Sequence, residues 1–108
     1  MLKGVPGMRI ISPGEKSRCN YFKYILILEK FDREKIHKLL EKNGISPSGY
    51  VYELPLHKQP VFPTHNQIDL PNTEFLCNRH ICLPIYPALE VEDAEYIAET
   101  LLKILDSD

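Results

Sequence analysis

Three groupings of residues have types and spacings suited to chemistry. The first is Cys77-x2-His80-x-Cys82, which together with His65 upstream supplies four soft or borderline donors of the kind that hold tetrahedral zinc. Against zinc, two-residue and one-residue spacings across a helix-to-strand junction do not aim side chains at one point. Cys82 also lies in an apolar run, where a cysteine behaves as a small core residue. The second grouping is Cys19 or Cys77 as a thiolate nucleophile beside a histidine, but nothing in the local sequence orients such a pair. The third is His57-Lys58-Gln59, set between Pro55 and Pro60, which presents an imidazole, an ammonium and an amide on a stiff extended segment. The plainer reading of His57 is a surface histidine in a proline-rich turn. No glycine-rich phosphate loop, nucleophile elbow or metalloprotease helix motif occurs, so a self-contained enzyme finds no support in local motifs.

The elements that must position these groups are set by apolar spacing and by proline. Of nine prolines, seven fall between residues 47 and 87. Residues 8–11 read as a short opening strand between glycine and proline turns. Residues 21–29 are dense in aromatic and β-branched side chains, with Phe22, Tyr24, Leu26 and Leu28 on one face and Ile25 and Ile27 on the other. A strand apolar on both faces must be covered on both. The chain's own helices can supply one cover, and the second is expected from further chain or a partner subunit.

Asp32 is placed to cap a helix over residues 33–43, with Phe31 packing back onto Ile36 as a staple and Ile36, Leu39 and Leu40 as its buried stripe. Asn43-Gly44 ends it. The charges on its outer face, Arg33, Glu34, Lys35, Lys38, Glu41 and Lys42, read as a solvated surface. The prolines that follow forbid a continuous helix, so the expected layout is a strand at 50–54, a long loop, a short helix at 72–79 and an edge strand at 81–85 containing Pro84. Ala94, Ile97, Ala98, Leu101, Leu102 and Leu105 recur at helical spacing over residues 92–105, with Glu92, Asp93 and Glu95 near the positive end of the helix dipole. The fold class is α+β, a small mostly antiparallel sheet with helices packed on one face.

Composition narrows the function classes. The 108 residues are 44% apolar and 26% charged with a formal net charge of −2, enough for one modest core. Interspersed charges and a pI near 6.1 lack the basic footprint that nucleic-acid phosphates require. The apolar runs are too short for a membrane span, no secretory leader opens the chain, and three cysteines cannot all pair within it. The expected location is the cytoplasm, with free thiols and with neither nucleic acid nor membrane as partner.

Taken in order, four stretches resemble one family: Lys42-Asn43-Gly44-Ile45; then Gly49-Tyr50-Val51-Tyr52-Glu53-Leu54-Pro55-Leu56-His57-Lys58-Gln59-Pro60-Val61-Phe62; then Ile81-Cys82-Leu83-Pro84-Ile85-Tyr86-Pro87-Ala88-Leu89; then residues 93–105. They look like the C-terminal small domain of the DegT/DnrJ/EryC1/StrS aminotransferases, PLP-dependent enzymes that aminate keto sugars, usually nucleotide-linked, in surface polysaccharide or amino-sugar biosynthesis. The resemblance implies the small-domain fold of the fold-type I PLP enzymes over residues 1–108. It also implies a large N-terminal domain, absent here, that holds PLP, the Schiff-base lysine and the aspartate facing the pyridine nitrogen. This chain is then expected to have no catalytic, cofactor-binding or metal residue of its own and to be inactive alone. It would pack on that large domain, and a homodimer or self-association is expected. The resemblance turns the 54–62 segment toward the substrate, making His57, and less directly Gln59, substrate-binding residues of the complete enzyme. Some relatives carry an arginine just before this loop, whereas here none lies between Arg33 and Arg79. Glu90 stands where many relatives cap the last helix with threonine or serine. The competing expectation is a stand-alone ligand-binding or protein-interaction module derived from this domain.

Overall fold

The computed structural model describes residues 1–107. Three strands, β1 (Met8–Ile10), β2 (Tyr24–Leu28) and β3 (His80–Leu83), form one antiparallel sheet in the order β1-β2-β3. Three helices, α1 (Arg33–Lys42), α2 (Pro71–Arg79) and α3 (Val91–Asp106), complete the α+β layout. Pairing of Tyr24 with Leu83, Leu26 with Ile81 and Met8 with Leu28 puts these residues on one face. There Leu26, Leu28, Ile81 and Leu83 meet Ile36 and Leu40 of α1 and Ile97, Leu101, Ile104 and Leu105 of α3 in the main core. Burying each such side chain contributes roughly 1.5–3 kcal/mol, so this layer carries most of the stability.

The helix ends follow local chemistry. Asp32 Oδ1 accepts the Glu34 and Lys35 amides at 3.0 and 3.3 Å, as its capping role predicts. At the other end Gly44, at φ +77°, occupies the left-handed region that glycine enters without penalty. Its amide reaches Glu41 O and the Ile45 amide reaches Leu40 O, both at 3.0 Å, closing the helix and returning Ile45 to the core beside Leu40. Tyr96 of α3 donates to the Asn43 carbonyl at 2.8 Å, tying the two long helices together. Glu90 makes no side-chain capping bond to α3.

Four expectations are corrected. Residues 50–54 are not a strand: the Ser48 amide and the Gly49 carbonyl bond Cys82 at 2.9 and 3.2 Å. Beyond them Gly49 turns left-handed at φ +79°, and the Val51 amide goes to the His80 ring at 2.9 Å, so no ladder can propagate. β2 is shorter than residues 21–29, because Tyr21 stands in the left-handed region at φ +50° and the Phe22 amide, next in line for the ladder with β3, goes to Asn20 Oδ1 at 3.2 Å; Phe22 is left exposed. The second face of β2 is covered in part by this chain itself. Ile27 and Cys82 are buried there, beneath α2 and the segment after Gly49, while α1 and α3 hold the first face as expected. Finally, Arg33 is not a solvated charge. Its side chain is only 13% exposed and joins α1 to the end of α2.

Candidate functional site

The second face of the sheet is where the chemistry-bearing residues gather. Ile25 and Ile27 of β2, Val51, Leu54 and Leu56 of the following segment and Leu76 of α2 line an apolar groove of about 820 Å³, with Gln59, Thr73 and His80 as polar members of its wall. Two short 3-10 turns, Leu56–Lys58 and Pro63–His65, shape the proline-rich connection along one side. From residue 60 to 70 that connection buries nothing.

His57 lies in the first of these turns with only 7% of its surface exposed. Pro55 just before it is buried too, so the turn is anchored while Leu56 stays 72% exposed. The Nε2 atom of His57 is buried without a hydrogen-bond partner and stands 3.7 Å from Glu74 Oε1. Lys58 Nζ is 3.4 Å from the same oxygen and donates to the Asn66 carbonyl at 2.7 Å. Glu74 Oε2 accepts the Leu70 amide at 3.1 Å. Partial desolvation pushes the Glu74 carboxyl up, but the Leu70 amide, Lys58 and His57 outweigh it and hold the carboxyl below its usual range. Gln59 faces the groove and steadies it by donating to the Leu54 carbonyl at 2.8 Å. The structure thus brings His57 and Lys58 together on Glu74 and sets Gln59 apart on the groove wall.

The cysteine–histidine grouping has other commitments. His80 Nδ1 faces the Leu76 and Cys77 carbonyls at 2.9 and 3.0 Å, and its Nε2 accepts the Val51 amide, which fixes the neutral ring with its proton on Nδ1. Burial lowers its proton affinity, with Arg33 adding to the effect against the two carbonyl bonds. The Cys77 thiol donates to the Tyr52 carbonyl at 2.8 Å, and burial pushes both Cys77 and Cys82 up, so these sulfurs stay protonated. Cys19 lies elsewhere, its sulfur accepting the Tyr21 amide at 3.2 Å. His65 sits on an exposed turn against Phe62, ring centroids 5.6 Å apart. Among the described residues no three His, Cys, Asp or Glu side chains are grouped to hold a metal ion.

Two residues escaped sequence reasoning. Arg33 Nη1 donates to the Cys77 and His80 carbonyls at 2.8 and 3.3 Å, and its guanidinium lies 4.2 Å from the Tyr50 ring centroid. Tyr50 in turn meets His80 edge-on, and burial raises its hydroxyl above the ordinary value despite Arg33. Glu74 was the other, and its only signal was an acidic residue in the first turn of a helix that opens with Pro71.

The chain does not fit PLP as a Schiff-base partner. Such a lysine must be desolvated, and none of the nine lysines is buried. The half-buried ones, Lys23 and Lys58, donate to the carbonyls of Ser48 and Asn66. No helix among the described residues is long and apolar enough to cross a membrane.

Comparison with known proteins bears on the chain as a whole. Residues 1–102 match the DegT/DnrJ/EryC1/StrS aminotransferase family. The chain is 27% identical over 103 residues to a pleiotropic regulatory protein of Geobacillus stearothermophilus, covering 94% of this chain and 27% of that protein. It is 27% identical over 109 residues to the dTDP-4-amino-4,6-dideoxy-D-glucose transaminase of Escherichia coli, covering 94% of this chain and 29% of the enzyme. The crystal structure of the aminotransferase TlmJ from Streptoalloteichus hindustanus shares the fold with a TM-score of 0.81 at 24% identity, over 99% of this chain and 29% of that one. The chain therefore spans between a quarter and a third of the length of these relatives.

Proposed function

This chain belongs to the DegT/DnrJ/EryC1/StrS aminotransferase family, and from that membership we propose that it is the C-terminal domain of a PLP-dependent enzyme aminating nucleotide-linked keto sugars for surface polysaccharide or amino-sugar biosynthesis. The observation that carries the reading is the family match along nearly the whole chain, combined with coverage of only 27% and 29% of the relatives' own length. One of those relatives is named as a dTDP-4-amino-4,6-dideoxy-D-glucose transaminase. PLP, when bound, supplies the electron sink for moving an amino group, and it belongs to a large domain outside this chain. The role of residues 1–108 is to pack as one domain on that partner and close the substrate side, in a homodimer within the cytoplasm.

In this reading His57 and Gln59 are the substrate-binding residues. Both lie on the 54–62 segment, whose buried Pro55 and 3-10 turn give it a fixed shape before any ligand arrives. The sugar nucleotide is positioned by that segment while the reacting atoms are handled by the large domain.

The test is reconstitution. The chain with its PLP-binding domain is assayed for amino transfer to a dTDP-linked 4-keto sugar, beside either piece alone. Turnover that requires both is expected. A large domain fully active by itself would overturn the assignment and favour a stand-alone binding module. Within the working enzyme, His57→Ala should raise the KM for the sugar nucleotide roughly tenfold, the loss of about one hydrogen bond, and leave the cofactor absorbance as it was. Unchanged KM would remove His57 from the substrate site.

A further inference from the structure

We propose that Glu74 is the positioning residue of the 54–62 segment, a proposal that rests on the reading that this segment meets the sugar nucleotide. One carboxylate joins three parts of the chain. Oε2 accepts the Leu70 amide at 3.1 Å, where the helix start has no side-chain cap from Leu70 itself. That bond satisfies an exposed donor at the start of α2 and fixes the rotamer of Glu74. Oε1 is thereby aimed at Lys58 Nζ, 3.4 Å away, and His57 Nε2, 3.7 Å away.

The segment has few other ties to the rest of the fold. Beyond Pro55 and His57 nothing in it is buried, Gln59 bonds back to Leu54 inside the same segment, and Lys58 bonds to Asn66 within the same connection. Among the described residues the Glu74 carboxylate is thus a polar link by which α2, itself anchored by Arg33, holds the turn. His57 is more than nine-tenths buried with Nε2 unpartnered. The Glu74 carboxylate faces that atom from 3.7 Å, an acceptor placed to orient the ring. Glu74 therefore acts through His57 and Lys58, without touching the sugar.

The test uses the enzyme reconstituted with its PLP-binding domain. Glu74→Gln keeps an oxygen for the Leu70 amide and removes the charge facing Lys58 and His57, so the helix start survives and the link does not. Hydrogen exchange should quicken at the amides of residues 55–62 and stay unchanged in α1 and α3. The KM for the sugar nucleotide should rise about tenfold, with the KM for the amino donor and the cofactor absorbance unmoved, and Glu74→Gln added to His57→Ala should cost little beyond His57→Ala alone. Unchanged exchange in residues 55–62 overturns the positioning role whatever the kinetics. Sugar KM values that rise in His57→Ala but not in Glu74→Gln overturn it too, as do fully multiplicative effects in the double variant. Faster exchange with an unmoved sugar KM in both single variants upholds the positioning and sinks the substrate reading instead.

Discussion

His80 holds its neighbours only as a neutral ring. Its Nδ1–H serves the Leu76 and Cys77 carbonyls and its bare Nε2 receives the Val51 amide. Protonating Nε2 would set two donors against each other and charge a ring that lies near Arg33. Its folded proton affinity therefore falls below the usual value of 6.5, first through burial. The unfolded chain takes up a proton near pH 6.5 while the folded one resists, so this contribution to stability is fully present above that value and is lost as pH falls below it. The expected loss is at most about 1.4 kcal/mol per pH unit below 6.5 until the folded ring titrates. Urea unfolding followed at pH 7.5, 6.0 and 5.0 should show this slope in the native chain and a flatter one in His80→Gln; equal slopes would refute it. Glu74 acts in the same direction in a more acidic window, because its depressed carboxyl loses its partners only as pH falls below 4.5. At this scale the sequence was partly legible. A proline-stiffened histidine advertises itself, whereas Arg33 and Glu74 look like ordinary surface charges until residues 44 and 17 positions away are brought beside them.

Among the elements, α3 has the clearest unmet need. It is the longest helix and supplies Ile97, Leu101, Ile104 and Leu105 to the core, yet Glu90 at its start leaves the first amides without a side-chain acceptor. Serine at this position has an oxygen at the reach that capping requires, and the backbone of Glu90 is already extended, as a cap residue should be. Glu90→Ser should therefore stabilise the chain by about 1 kcal/mol, read as a higher urea midpoint with an unchanged slope; a lower midpoint would mean that the Glu90 charge favours the helix end more than a hydroxyl does. Elements announced by local signals were legible in the sequence: Asp32 and Gly44 bracket α1, and apolar spacing marks α3. The failures were elements defined by a partner. Residues 50–54 alternate like a strand, but Gly49 bends the chain and His80 takes the amide that a ladder would need. β2 likewise begins only at Tyr24, because the Phe22 amide is taken by the Asn20 side chain, a limit invisible from residues 21–29 alone.

At the scale of the whole molecule the two faces of the sheet have different status. One is sealed by α1 and α3, with Leu26, Leu28, Ile36, Leu40, Ile81 and Leu101 at essentially zero exposure. The other is closed only over Ile27, His80 and Cys82, and opens beside them into a groove of about 820 Å³ walled mainly by aliphatic side chains. The chain is also more extended than its length requires. Its radius of gyration is 15.3 Å, where a compact domain of about this size reaches about 13 Å. Val61, Ile68, Leu70 and Phe75, on the connection and the start of α2, add exposed apolar surface. A surface of this kind on an isolated domain favours association, and the hydrophobic effect acts on it whether the cover is the large domain or a second copy. The chain alone should therefore bind a hydrophobic dye and elute as a concentration-dependent mixture of monomer and larger species. Addition of the PLP-binding domain should suppress both together. A strictly monomeric elution at high concentration with no dye binding would show that the groove is closed in solution and would count against the proposed docking of a large domain there. Ile25→Asp, placed on the groove wall and away from the sealed core, should abolish association of the isolated chain while the cooperative urea transition is kept.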